Sequence, residues 1–83
     1  MKTIYINRRA NNHVNQYESE GVKYDDLISY TTRVAYLNHN ERFISVLGWF
    51  SSTTAKHIND FLEFHGVDRM TKKQMLEKPT INI

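Results

Sequence analysis

The residue types best suited to chemistry lie in one short segment, from Trp49 to His57. It contains two aromatic rings, four consecutive hydroxyl residues over 51–54, the Lys56 cation and the His57 imidazole. If a helix begins here, its free backbone N–H groups would join these side chains to bind a phosphate or a carboxylate. The same residues also suit a well-capped helix whose preceding aromatic side chains pack into the core. Both interpretations are open from the sequence.

The remaining residues offer no recognisable catalytic arrangement or metal site. Asp25 and Asp26 are the only adjacent carboxylates, and consecutive side chains point in different directions. His57 and His65 lie eight residues apart on a predicted helix. That spacing is about 12 Å of helical rise, too far for one metal ion. No glycine-framed serine and no glycine-rich phosphate loop is present. We therefore expect no enzymatic activity, no metal ion and no cofactor.

Composition limits the size and the location of the protein. The chain has 83 residues, which suits a single domain over 1–83 and leaves no room for two hydrophobic cores. It has no cysteine, which removes disulfides and favours a reducing compartment. No apolar run is long enough to cross a bilayer, and the first residues lack the apolar centre of a signal peptide. We expect a cytoplasmic protein, a monomer or small homo-oligomer, without membrane contact.

The net charge is mildly positive, at +2 with histidine neutral, and the pI calculated for the sequence is about 9.0. Basic residues occur near both ends of the chain, with acidic residues interspersed. A secondary basic patch is predicted to comprise Arg8, Arg9, Arg69, Lys72 and Lys73. Such a patch can face phosphates, but an ordinary solvated surface explains it as well. The charge thus permits contact with nucleic acid without requiring it.

The apolar periodicity predicts an α+β fold built on a small, mostly antiparallel sheet of three or four strands. Residues 2–7 alternate in the manner of a strand, whereas residues 8–26 look like an irregular loop. Further strands over 28–37 and 43–50 are rich in β-branched and aromatic residues. An asparagine-rich turn joins them, so we expect an antiparallel hairpin over 30–50.

Two helices are predicted after this hairpin. The main helix spans about 53–65, where hydroxyl residues can cap its start and apolar residues recur at three- and four-residue spacing. Gly66 sits where such a helix commonly ends. A short C-terminal helix spans about 71–78, with Thr71 as its cap and Pro79 as its stop. One principal helix is therefore expected to pack on the sheet.

Two segments together carry a longer pattern. The first is a Ser-Tyr-x-Thr strand leading to an alanine, and the second is an aromatic-x-Ser-x-Thr-Thr-x-x-His-Ile-Asn junction that runs into the main helix. The matching positions are Ser29, Tyr30, Thr32, Ala35, Ser51, Thr53, Thr54, His57, Ile58 and Asn59. In these residues the chain resembles a family of small uncharacterised proteins encoded by phages, archaeal viruses and plasmids. The resemblance implies a viral or mobile-element origin and supplies no activity.

Two hypotheses about function follow. In the first, the chain is a non-enzymatic accessory protein of the phage type. It binds a host protein, such as a replication, transcription, nuclease or defence component, and inhibits or modulates it by stoichiometric contact. In the second, it is a small DNA- or RNA-binding module. The predicted binding residues are Tyr30, Thr32, Arg33, Trp49, Ser52, Thr53, Thr54, Lys56 and His57.

Overall fold

The fold is organised around one antiparallel sheet with helices on its inner face. The computed structural model describes residues 1–6, 11–48 and 51–83. Within them, six strands pair with their neighbours in chain order, from β1 to β6. The strands are β1 Lys2–Ile4, β2 Asn12–Ser19, β3 Val22–Ser29, β4 Thr32–Asn38, β5 Phe43–Val46 and β6 Thr80–Asn82. The helices are α1 Ser52–Phe64 and α2 Lys72–Glu77.

The predicted fold of three or four strands with one main helix is wrong, because the described residues form six strands and are mostly β. The largest error falls in residues 8–26, where an irregular loop was expected. There β2 and the first part of β3 form a long hairpin in which Tyr17 lies opposite Tyr24. Its tight turn is made by Glu20 and Gly21, whose φ angles of 51° and 80° are both in the left-handed region.

Polar residues conceal the strand alternation of this hairpin in the sequence. Its inner face carries Asn12, Asp25 and Ser29, and each of them is at most 2 % exposed. A polar residue in the sequence favours a loop prediction. It can nevertheless lie inside a sheet when another element supplies hydrogen-bond partners. Ser29 has such partners on α1, and Asp25 has them in the β4–β5 turn and directly after the end of α1.

The expected hairpin over 30–50 is present in a different form. The strand predicted over 28–37 is divided by a turn at Tyr30, so that its first two residues belong to β3 and the rest to β4. β5 ends at Val46, and β6 pairs with it at the edge of the sheet. The C-terminal residues of β6 are therefore part of the sheet. They add an edge strand that the predicted hairpin did not include.

Both predicted helices are present close to their expected positions. α1 begins at Ser52 and places Ile58, Phe61 and Leu62 in the core, as the apolar spacing predicts. α2 begins with a capping box, in which Thr71 and Gln74 bond to each other's backbone N–H groups. Within the described part of the chain, no helix is long and apolar enough to cross a membrane.

The hydrophobic core lies between α1 and the inner face of the sheet. Its fully buried members are Val14, Leu27, Val34, Ala35, Leu37, Ile44, Ile58, Phe61, Leu62 and Met75, with Ile6 and Val46 at its margin. Because side chains alternate along a strand, the residues between these positions point to the opposite, outer face of the sheet. Neither helix covers that outer face, and it is therefore available for contact.

Candidate functional site

The start of α1 is fixed by a single hydroxyl group. Ser51 is the N-cap residue, and its Oγ accepts a hydrogen bond of 3.3 Å from the backbone N–H of Thr54. The sequence predicted capping from the run of four hydroxyl residues without assigning it to one of them. Ser52 and Thr53 are exposed and have no role in the cap. Thr54 is buried and points towards the sheet.

A buried polar network joins the two patterned segments of the sequence. The Ser29 Oγ atom, at the end of β3, lies 2.8 Å from His57 Nδ1 and 3.1 Å from Thr54 Oγ1. Ser51 Oγ donates in turn to Thr54 Oγ1 at 3.3 Å. The Ser-Tyr-x-Thr strand and the Thr-Thr-x-x-His helix therefore meet through side-chain hydrogen bonds. These bonds attach the first turns of α1 to the end of the β3 strand.

A serine and a histidine at hydrogen-bond distance also form the first two members of a catalytic nucleophile arrangement. Here both Ser29 and His57 are only 2 % exposed. A nucleophile must reach a bound substrate, and neither side chain has a surface on which a substrate could lie. The network is therefore suited to positioning α1 on the sheet. Thr54 and His57, two of the predicted binding residues, contribute to this internal structure.

Asn12 is the least satisfied polar group near this network. It lies directly opposite Ser29 in the pairing of β2 with β3, and it is 1 % exposed. Neither its amide nitrogen nor its amide oxygen has a hydrogen-bond partner among the described residues. A buried amide without partners reduces the stability of the folded state. Nothing in the sequence distinguishes this asparagine from the neighbouring ones.

The exposed members of the predicted site lie around the buried network. Tyr30 is 53 % exposed, in a left-handed conformation with φ of 57°, and its ring centroid is 5.9 Å from that of His57. Ser52, Thr53 and Lys56 are exposed on the first turns of α1. Thr32 is exposed at the start of β4, and Trp49 lies outside the described residues. The β3–β4 turn and the start of α1 thus share one end of the molecule.

A row of four aromatic rings crosses the outer face of the sheet, one ring from each of β2 to β5. Tyr17 stacks on Tyr24 with ring centroids 5.5 Å apart. Tyr36 contacts Tyr24 edge-on at 6.1 Å and contacts Phe43 in the same way at 5.9 Å. These separations are typical of favourable aromatic pairs. The rings are half-buried by one another, and they leave a continuous aromatic surface towards solvent.

An ion pair between Arg33 and Asp26 lies beside this aromatic row. The Arg33 guanidinium carbon lies 4.4 Å from the centre of the Tyr36 ring, and Arg33 Nε is 3.1 Å from Asp26 Oδ1. Burial, together with a hydrogen bond to Asp26 and the charge of that carboxylate, raises the pKa of the Tyr17 hydroxyl. Arg33, predicted as part of the strand-to-helix site, therefore belongs to the outer face of the sheet. It is separated by the sheet from the start of α1.

A second buried cluster, which sequence reasoning missed, surrounds Asp25. This carboxylate is 1 % exposed; it lies 2.7 Å from His39 Nε2 and 3.3 Å from His65 Nε2, and it accepts a hydrogen bond from Gln16. Burial alone raises the pKa of Asp25. The contacts with His65, His39 and Gln16 outweigh burial and lower the pKa from 3.8 to about 2. Asp25 thus connects β3 to the β4–β5 turn and to the end of α1.

The Asp25 cluster is not arranged as a metal site. Each imidazole faces a different oxygen of the carboxylate, so the nitrogen and oxygen atoms do not converge on one point. Across residues 1–6, 11–48 and 51–83, no group of three or more histidine, aspartate or glutamate side chains is placed to hold a metal ion. The cluster was missed because Asp25 and its two histidines, His39 and His65, are far apart in the sequence.

Comparison with known proteins assigns the chain to a family. Residues 1–77 match the model of a family of unknown function, DUF8033. The chain belongs to DUF8033. No curated protein and no solved structure matches it at a significant level. The range matched by DUF8033 contains every helix and strand named above except β6. It thus includes both the buried network and the aromatic row of this DUF8033 member.

The predicted basic patch is largely neutralised in its described part. Arg69 is hydrogen-bonded to Glu63 and lies 3.6 Å from Asp60, while Lys73 Nζ is 3.9 Å from Glu77. A phosphate would have to compete with these carboxylates for Arg69 and Lys73. Lys72, the third described member, is exposed on α2. Arg8 and Arg9 lie outside the described residues.

Proposed function

We propose that this protein is a non-enzymatic accessory protein of the phage type that inhibits or modulates a host protein by binding it. The outer face of the sheet is the contact surface in this proposal. The observation that carries it is the row formed by Tyr17, Tyr24, Tyr36 and Phe43 on a face that neither helix covers. Its proposed place of action is the cytoplasm of the infected cell.

The composition of the outer face supports a protein partner. Tyrosine and arginine dominate the binding energy of protein interfaces, and lysine and glutamate are depleted from interface centres. Around the four rings, the strands present asparagine, serine and threonine side chains: Asn15, Asn38, Ser45, Thr80 and Asn82. Rigid tyrosine rings among small hydrogen-bonding residues are also typical of antibody binding surfaces.

The charge of the outer face bears on the alternative partner, single-stranded nucleic acid. Aromatic rings on a sheet can stack with bases, so the row itself is compatible with that partner. Affinity for nucleic acid also requires cations that neutralise phosphates. Among the described strand residues of this face, Arg33 is the only cation other than histidine, and Asp26 already compensates it. A neutral face of this kind is better suited to a protein partner.

The proposal can be tested by affinity capture followed by reconstitution. The tagged protein is incubated with nuclease-treated lysate of its host, alongside Tyr36→Ala and a control, Leu76→Ala. Leu76 is an exposed apolar residue on α2, which does not cover the outer face, so its loss leaves that face intact. Any captured protein is then purified, and its affinity and stoichiometry are measured by calorimetry.

We expect one host protein that binds at a fixed stoichiometry. We also expect an affinity lowered by about tenfold or more for Tyr36→Ala and little changed for Leu76→Ala. Equal affinity for all three proteins would refute the outer face as the contact surface. If binding is seen only to nucleic acid, with an affinity that falls steeply as salt is raised, the nucleic-acid hypothesis replaces this proposal.

A further inference from the structure

A shallow groove runs along one side of the aromatic row. Its volume is about 330 Å³, and we call it the tyrosine groove. It is lined by Tyr17, Ser19, Tyr24, Arg33, Tyr36 and Asn38. Two properties of these residues restrict what the groove can bind. The first is whether their free polar atoms donate or accept hydrogen bonds, and the second is their summed charge.

The amide oxygen of the groove and the carboxylate beside it are not available to accept hydrogen bonds from a ligand. Asn38 Oδ1 accepts hydrogen bonds of 2.9 Å from the backbone N–H groups of both Asn40 and Glu41. The Asp26 carboxylate is not among the residues that line the groove, and its Oδ1 is buried and paired in charge with Arg33 Nε at 3.1 Å, without a hydrogen bond. The acceptors left for the N–H groups of a ligand are therefore the hydroxyl oxygens of tyrosine and serine.

Donors, in contrast, remain free. Asn38 retains its amide N–H groups, and Arg33 retains the Nη atoms of its guanidinium, because only its Nε is paired with Asp26. The hydroxyl groups of Tyr24 and Tyr36 make no hydrogen bond to any described residue. The hydroxyls can donate or accept, whereas the free Arg33 and Asn38 nitrogens can only donate, so the tyrosine groove presents an excess of donors beside aromatic rings. It selects a ligand that is rich in acceptors and apolar in its side chains.

The charge of the groove determines which acceptor groups of a ligand it can bind. Phosphates and carboxylates are acceptors, but they require a net positive site, and Asp26 compensates the charge of Arg33 at 3.1 Å. Backbone carbonyl groups are neutral acceptors. An ordinary extended peptide carries as many backbone N–H groups as carbonyl groups. A proline residue has a carbonyl group but no backbone N–H. A proline-rich segment therefore matches both the neutral charge and the excess of donors.

Resting on the function proposed above, we propose that the tyrosine groove binds a proline-rich segment of the partner in the polyproline II conformation. In this conformation the segment has three residues per turn and its carbonyl groups remain unpaired, about 3.1 Å apart along the axis. The proline rings of the segment can pack on Tyr24 and Tyr36. Its carbonyl groups can accept hydrogen bonds from Arg33 and Asn38. Aromatic-lined grooves with hydrogen-bond donors are a recurrent way of binding such segments.

A random peptide library displayed on a carrier tests this inference without knowledge of the partner. The library is selected on the wild-type protein, and the enriched peptides are synthesised for affinity measurement. They are measured against Tyr36→Ala, against Tyr24→Phe, which removes only a hydroxyl, and against the control Leu76→Ala. Folding of each variant is checked by circular dichroism. A homopolymeric thymidine oligonucleotide serves as the nucleic-acid arm.

We expect proline-rich peptides to be enriched, and their affinity to fall about tenfold for Tyr36→Ala and by a smaller factor for Tyr24→Phe. Selection of proline-free peptides, or affinities that both groove variants leave unchanged, would overturn the inference. If the host protein still depends on Tyr36 while proline-free peptides are selected, the inference fails and the proposed function stands. Binding of the oligonucleotide that depends on Tyr36 would refute both.

Discussion

The Asp25 carboxylate offers a test of how the sheet and α1 are held together. Burial raises its pKa, but the contacts with His65, His39 and Gln16 lower it from 3.8 to about 2. A pKa lowered by this amount corresponds to about 2 kcal/mol in favour of the folded, ionised form. Asp25→Asn keeps the shape of the side chain and removes its charge. We therefore expect the free energy of unfolding to fall by about 2 kcal/mol at neutral pH.

The dependence on pH distinguishes this effect of charge from an effect of packing. Because the pKa of Asp25 is lower in the folded state than in the unfolded state, its stabilisation is complete above the unfolded value of 3.8. It is then lost as the pH falls to about 2. The difference in unfolding free energy between wild type and Asp25→Asn should therefore be constant near neutral pH and vanish near the folded pKa. Urea unfolding followed by circular dichroism across this range measures it.

Asp68→Asn is the matched control for this experiment. Asp68 is exposed in the connector between the helices, and we expect its substitution to change the free energy of unfolding by less than about 0.5 kcal/mol. A difference between wild type and Asp25→Asn that stays the same down to the lowest pH would show that the charge is not responsible. A difference no larger than that of the control would refute the stabilising role of the cluster.

Three further substitutions test the buried network and the start of α1. Ser29→Ala removes the hydroxyl group beside His57, and we expect it to lower the free energy of unfolding by about 1–3 kcal/mol, measured by urea titration. Ser51→Ala should cost about 1 kcal/mol through loss of the cap, whereas Thr53→Ala should be nearly neutral; equal thermal shifts would contradict the assigned cap. Asn12→Leu should stabilise the protein by about 1–3 kcal/mol, because it removes a buried amide without partners. A lower melting temperature for this variant would show that the amide does have a partner.

The sequence alone determined the helices. α1 has a hydroxyl cap, an apolar stripe with helical spacing and Gly66 after its end, and all three signals are local in the chain. α2 has Thr71 at its start and Pro79 just beyond its end. Hydrogen bonds within a helix join residues four positions apart, so the information that specifies a helix lies in neighbouring residues. The bounds of both helices could therefore be predicted closely.

Only the tertiary structure decided that residues 12–29 form a hairpin and that the sheet has six strands. In that stretch Asp25 and Ser29 face inwards, where an apolar alternation would have indicated a strand. Each is satisfied by a histidine more than ten residues away: His39 for Asp25, and His57 for Ser29. Such partners cannot be recognised from local spacing, because folding alone brings them together.

The candidate site shows the same division. Chemically suitable residue types between Trp49 and His57 could be recognised from the sequence, but their accessibility could not. Folding buries Thr54 and His57 in a structural network. The aromatic row, in contrast, consists of residues that were not among the predicted binding residues. They form one outer surface because strand register, which depends on long-range pairing, places one ring from each of four adjacent strands side by side.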